Sequence, residues 1–273
     1  MIERDAALSP GDIDVRIRNL EALNSWYTGI NLATGGVSIE RCTVANSEKH
    51  NIGISSGGGL ERPPVKIRSS LLTDNQDSRF YGIDCSDGRW LVEDTVIDGC
   101  SQGTKISTGY SEGTYRRVRI TNSEKHSFNS TNTDAGGVTL EDCVIGPGNG
   151  QNFNAAHVPY EIAAGSDLVI TGNDDAEDRA ALLFRSDAEI DASDATIWSN
   201  NNRHSGLECN SQISGNVIDT YFHADNGEGP LGSTSNVTIN EMAEREKTDI
   251  EAVPTADEVG AWSQVHTVPV PLW

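Results

Sequence analysis

Apolar residues flanked by turn-forming ones recur along the chain at a nearly fixed interval. With Ile17, Val44, Leu72, Ile97, Ile120, Ile145, Ile170, Ile197, Ile218 and Ile239 as anchors, successive spacings are 27, 28, 25, 23, 25, 25, 27, 21 and 21 residues. Intervals of about 25 residues mark stacked-repeat folds. Two residues before the anchors stand small or β-branched residues such as Val15, Cys42, Thr95, Val118 and Cys143. Two residues after them stand turn residues such as Asn19, Asn46, Asp74, Gly99 and Asn122. Apolar-x-apolar runs of period two predict short strands, and the residues that follow predict corners.

Each repeat holds more than one strand. Upstream pairs such as Val37 and Ile39, or Val65 and Ile67, predict a second strand. The alternation breaks between Ile39 and Cys42, so the chain bends there. Asn51–Ile54, Tyr81–Ile83 and Ser205–Leu207 predict a third. Three short strands and three turns in about 25 residues describe one coil of a stack. One corner recurs as a word: Asn46-Ser47-Glu48-Lys49-His50 returns as Asn122-Ser123-Glu124-Lys125-His126, with a looser echo at Asn201-Asn202-Arg203-His204. Repetition of this kind predicts a repeated backbone corner. His50 and His126 then lie about 14 Å apart, three coils of about 4.8 Å, too far to share a proton.

Segments such as Val37-Ser38-Ile39-Glu40-Arg41-Cys42-Thr43-Val44-Ala45-Asn46 and Val138-Thr139-Leu140-Glu141-Asp142-Cys143-Val144-Ile145-Gly146 resemble the coils of pectin-lyase-like proteins. That resemblance implies an all-β fold: a single right-handed parallel β-helix of about ten coils. It covers residues 13–241, with 1–12 as a lead-in or cap and 242–273 as a C-terminal cap or docking tail. The superfamily includes polysaccharide lyases, glycoside hydrolases, virion tailspikes and adhesive proteins, so the resemblance does not choose a function. Side chains on successive coils touch, which gives an independent check of register. Four residues before the anchors the chain reads Glu40, Arg68, Glu93, Arg116, Glu141, an alternation of charge, and then Ser166, Ser193, Ser214, Ser235. Phe128 and Phe153 are expected to stack on adjacent coils.

Composition narrows the partners. The 273 residues carry 41 acidic and 20 basic side chains, a net charge of −21, and only five of the basic residues are Lys. Such acid enrichment resembles proteins of extreme halophiles, whose carboxylates keep them hydrated when salt screens their repulsion; the alternative is an ordinary acidic extracellular protein. No basic patch offers itself to phosphates, so nucleic acid is not an expected partner. Cys42, Cys85, Cys100, Cys143 and Cys209 are odd in number and scattered, which predicts buried free thiols rather than a disulfide framework. The first ten residues lack a charged-then-apolar leader, and no apolar run approaches a membrane span. The expectation is a chain made without a secretion signal and without membrane insertion.

Candidate chemistry is diffuse. Asp94 with Asp142, and Asp167 with Asp194, share predicted columns, but in so acidic a chain carboxylate pairs arise by chance and no catalytic residue is assigned. Asp174-Asp175 is an adjacent pair with no Gly-His-Gly to accompany it. The run Asn173–Asp178 offers oxygens to Ca²⁺ but lacks the glycine of an EF-hand loop, so no metal or other cofactor is expected. On the outward position after each anchor, Trp198 is the large apolar exception. It is covered by a loop, buried against another subunit, or stacked on a sugar. Trp198, Arg203 and His204 are the candidate contact flank, with Leu272 and Trp273 at the tail packing over the last coil or docking on a partner. The functional expectation is a structural and adhesive β-helix on the exterior of a virion of a halophilic archaeal virus. It would be a spike, turret or tail fibre, homo-oligomeric with a trimer favoured, contacting other virion proteins and host surface glycans. The alternatives are a polysaccharide lyase or glycoside hydrolase, and a fragment of a halophile cell-surface protein.

Overall fold

The computed structural model describes residues 2–4, 15–33, 35–55, 62–75, 79–106, 110–130, 135–148, 153–156, 159–171, 182–185, 189–193, 195–200, 207–209, 214–218, 221–222, 238–240 and 253–260. They form a parallel β-helix of three ladders. Ladder A runs from Val15–Arg18 through Val37–Glu40 and Val65–Arg68 to the second half of Tyr81–Glu93. It continues through Tyr110–Arg116, Ala135–Glu141, Pro159–Ile162, Glu189–Ser193 and Ser214–Ile218 to Thr238–Asn240. Ladder B has nine strands, from Glu21–Leu23 through Thr43–Ala45, Leu71–Thr73, Val96–Asp98 and Arg119–Thr121 up to Tyr221–Phe222. Ladder C stacks Ile30–Leu32, Ile52–Ser55, the first half of Tyr81–Glu93, Gln102–Ile106 and Phe128–Ser130, and then Phe153–Ala156 and onward. Every described pairing is parallel except that of Ile2–Arg4, which lies antiparallel on Val15–Arg18.

The core is made of columns rather than of one cluster. Ile39, Ile67, Val92, Tyr115, Leu140 and Ile162 stack inward from ladder A, and Val44, Leu72, Ile97, Ile120, Ile145 and Ile170 from ladder B. All are buried, because alternate residues of a strand face opposite sides and one side is closed by the other two ladders. Phe128 and Phe153 are in register, as expected. Cys42, Cys85, Cys100 and Cys143 are free and buried. Burial pushes the thiols of Cys100 and Cys143 up to about 12, so they stay protonated.

The bend expected near Cys42 has a definite geometry. Asn19, Arg41, Ser69, Asp94, Arg117 and Asp142 form a column in the left-handed region, with φ between 47° and 53°. Asn24, Asn46, Asp74, Gly99 and Asn122 form a second such column at the other end of ladder B. Asn, Asp and Gly tolerate this conformation best. Arg41 and Arg117 adopt it because their N–H groups stay in the ladder, donating to the carbonyls of Arg68 and Glu141 at 3.0 and 2.9 Å. The bend therefore sacrifices no hydrogen bond.

The charge alternation is realised as an ionic ladder that begins one coil earlier than expected. Arg18 meets Glu40 at 2.8 Å, Arg68 meets Glu93 at 2.9 Å, and Arg116 bridges Glu93 at 3.3 Å and Glu141 at 2.6 Å. Arg117 adds contacts to Glu93 at 3.1 Å and Asp94 at 2.6 Å. Asp94 and Asp142 do share a column, but Arg117 stands between them. Asp142 Oδ1 accepts the Asp167 N–H at 3.0 Å. Both carboxylates are thus engaged in holding adjacent coils together.

Four register assignments change. Ile17 pairs with Ile39 in ladder A, and Ala22 is the residue beneath Val44. Ile197 lies opposite Leu168, not Ile170, while Ile218 and Ile239 belong to ladder A. The expected serine run dissolves: Ala163, whose N–H donates to Leu140 O, follows Glu141, and Ser193 lies opposite Ile218. Asp167 lies opposite Thr196 rather than Asp194. The physical cause is common to all: ladders A and B both present β-branched residues at period two, so unequal loops shift a residue from one ladder to another without disturbing the pattern.

Of the C-terminal tail, Val253–Gly260 is described. Arg119 donates from Nε to Pro254 O at 2.9 Å and from Nη2 to Val253 O at 3.3 Å. Gly260 N–H donates to Ser69 O at 2.9 Å, and a Cβ there would stand 2.7 Å from Thr43 Oγ1 and 3.0 Å from Leu71 Cβ. The segment is therefore a strap along the outer side of ladder B. Its short 3-10 turn Ala256–Glu258 is closed by a capping box between Thr255 and Glu258.

Candidate functional site

The repeated word does form equivalent corners. Ile52, Ile83, Thr104 and Phe128 are in register, which puts His50 and His126 three coils apart. Asn46 and Asn122 take the same left-handed conformation, and Ser47 and Ser123 are both buried. The two corners differ in what the neighbouring coils place beside them. Around His50 the coil below contributes Trp26 and Tyr27, and the coil above contributes Arg79, Phe80 and Tyr81.

These residues interlock. Lys49 N–H donates to Tyr27 O at 3.0 Å, which aligns the two coils. Lys49 Nζ stands 3.8 Å from the centre of the Tyr27 ring and 5.4 Å from that of Phe80. The Arg79 guanidinium lies 5.6 Å from the Phe80 ring, and Lys105 Nζ lies 5.0 Å from the Tyr81 ring. His50 is stacked on Tyr81 at 5.6 Å and 6°, and meets Phe80 edge-on at 5.0 Å and 82°. Its Nδ1 accepts the Tyr81 N–H at 3.3 Å, and its Nε2 faces Asp84 Oδ2 at 3.4 Å. A donor at Nδ1 and a carboxylate at Nε2 select the neutral tautomer protonated on Nε2. Burial depresses the imidazole pKa below its ordinary 6.5, the ammoniums of Lys105 and Lys49 act the same way, and Asp84 opposes them.

This arrangement has a pH signature. Above pH 6.5 the imidazole is neutral both folded and unfolded and costs nothing. As pH falls through 6.5 the unfolded chain takes up the proton first, so stability declines until the folded state is protonated too. Thermal unfolding followed from pH 7.5 to 5 should show a fall that His50→Gln reduces, bounded by about 1.4 kcal/mol per pH unit for one group. An identical pH profile in the variant would mean that His50 carries no part of the acid lability.

Both nitrogens of His50 are engaged within the corner. What is exposed is aromatic and cationic: Trp26 is 84% exposed and Tyr27 51%. Leu20 and Leu23 complete the exposed large apolar residues among the described ones, and all four fall on the first coil. Among the described residues no group of three or more His, Cys, Asp or Glu could hold a metal ion. The acidic run Asn173–Asp178 lies outside the described residues.

Of the residues singled out from sequence, Trp198 has a described backbone in Thr196–Asn200, where it lies opposite Val169. That corrects its column. It does not follow Thr171 but joins the register series Thr43, Leu71, Val96, Arg119, Val144, Val169 of ladder B. Arg203, His204, Leu272 and Trp273 lie outside the described residues. The repeated word links His50 to His126 and does not point to the corner cluster. The available signal was a pair of aromatic dyads, Trp26-Tyr27 and Phe80-Tyr81, flanking Lys49-His50. It becomes legible only once Ile30, Ile52 and Ile83 are known to stack. Comparison with known protein families, with curated proteins and with solved structures finds no match to this chain, so a functional reading rests on the β-helix and on this corner.

Proposed function

We propose that the chain is a structural and adhesive rod, displayed on the exterior of a virion of a halophilic archaeal virus, that binds surface glycans at the Trp26–Tyr27–Lys49–Phe80 corner. The observation that carries the glycan reading is the exposed Trp26–Tyr27 pair on a rigid coil, with Lys49 held over the Tyr27 ring. Aromatic faces with a polar rim suit sugar rings, which present one apolar face and an equator of hydroxyls. The parallel β-helix supports the structural role, since stacked coils make a stiff scaffold from which a corner can be presented. A charge of −21 with five lysines supports a high-salt setting. The virion itself is an analogy from other β-helical rods, as is assembly into a homo-trimer.

Binding is tested by calorimetric titration of surface oligosaccharides in molar KCl. Trp26→Ala is expected to weaken the best ligand about tenfold, equivalent to about 1.4 kcal/mol. The side chain is exposed, so its removal should leave the unfolding midpoint nearly unchanged. Affinity that survives Trp26→Ala would remove the corner from the adhesive role.

A further inference from the structure

We infer that the sugar recognised at this corner carries a negative charge, which Lys49 meets; this rests on the adhesive reading above. The argument begins with how the chain treats its cations. Carboxylates outnumber basic residues two to one, 41 against 20. On ladder A this excess is used: Arg18, Arg68, Arg116 and Arg117 each meet a carboxylate at 3.3 Å or less. Lys49 and Lys105 are treated differently. No carboxylate of the described residues forms an ion pair with either, and both ammoniums sit over aromatic rings instead. Asp84, the carboxylate drawn into the cluster, faces His50 and lies opposite Lys105 in the ladder.

An ammonium held over a ring keeps its full charge and loses conformational freedom, so it is preorganised for an anion. The rings do not neutralise it, as a carboxylate would. Lys49 and Lys105 thus place two ring-held cations on this corner of a negative rod. The neutral imidazole adds no competing charge at pH 7. A long-range field would not survive molar salt, where screening acts within about 3 Å, but a contact pair between ammonium and carboxylate lies inside that distance. The ligand chemistry that fits is therefore a sugar ring with a directly attached carboxylate: the ring stacks on Trp26 and Tyr27 while the carboxylate meets Lys49.

The test uses the full chain in 1 M KCl and two probes, a hexasaccharide of uronic acid and the same hexasaccharide with its carboxyls reduced to primary alcohols. Wild type should bind the acid form at least tenfold more tightly. Lys49→Gln should lower affinity for the acid form to within about threefold of the reduced form and leave the reduced form unaffected; Lys49→Arg should keep the preference. Arg68→Gln, which removes a cation from the ladder, should change neither. Equal binding of both probes by wild type would overturn the inference and leave the adhesive reading standing. So would a preference that survives Lys49→Gln. Failure of both probes to bind would overturn the two together.

Discussion

Tyr115→Ala is expected to cost about 3–5 kcal/mol, the range for deleting a large aromatic from a packed interior. Tyr115 is 1% exposed and sits where ladder A faces ladder C. Its ring meets Phe128 edge-on at 5.2 Å and 75°, and Phe128 meets Tyr160 at 6.0 Å and 70°. Its hydroxyl lies 2.8 Å from Thr104 Oγ1 and 3.8 Å from Cys85 Sγ. Burial pushes the phenol well above its ordinary pKa, so it remains neutral throughout the accessible pH range. Alanine would remove the contact that ties three coils across the interior, and stacked neighbours cannot slide inward without breaking their ladders. Tyr115→Phe separates the two contributions, keeping the ring and costing about 1–2 kcal/mol through the unpaired Thr104 hydroxyl. Urea unfolding in molar KCl measures both. A loss under 1 kcal/mol for the alanine variant would show that the aromatic stack is not a principal support of the coil.

Gly103→Val should be comparably severe for the opposite reason. A Cβ at Gly103 would run into the carbonyl oxygen of Ser127 and Cγ2 of Ile120. At the same corner one coil below, a Cβ at Gly82 would meet Ile97 Cγ2 at 2.5 Å and Gly103 O at 2.8 Å. The obstruction includes backbone of the next coil, which cannot rotate away as a side chain would. Overpacking of this kind costs about 1–3 kcal/mol for one methyl group and more for a branched side chain, so at least about 3 kcal/mol is expected for valine. Gly165→Ala is the contrast: its φ is 74° and a Cβ there meets nothing within 4 Å, so only conformational strain of about 1 kcal/mol is expected. If the two substitutions unfold at the same urea concentration, close approach of the coils is not what the Gly103 position protects.

How far the sequence reads toward this structure depends on what enforces each feature. The ionic ladder is legible because Glu40, Arg68, Glu93, Arg116 and Glu141 follow coils of similar length, and a wrong register would set like charges together. The bend after Ile39 is legible because a break in a period-two pattern has a direct geometric meaning. The upper coils are harder. Ile197, Ile218 and Ser166 satisfy the same local pattern as their neighbours while belonging elsewhere, because hydrophobic alternation records that a residue faces inward but not which ladder it lines. The corner at His50 is harder still. Its members come from residues 26–27, 49–50, 79–81 and 105, and the intervals between them are unequal because a longer excursion separates Ile52 from Ile83. A side-chain cluster built from four coils has no signature within any one of them.

The strap at Val253–Gly260 changes how the stack should behave as a cooperative object. In a pure stack each coil stabilises only its neighbours, so the ends open first and unfolding travels inward one coil at a time. Here residues from the end of the chain are hydrogen-bonded to Arg119 and Ser69 in its first half. Opening a coil at either place strips the strap from the other. The coils from Thr43 to Arg119 are thereby joined into one block with a long closing loop, and the block that presents the aromatic corner is held shut by a segment more than 130 residues further along the chain than Arg119.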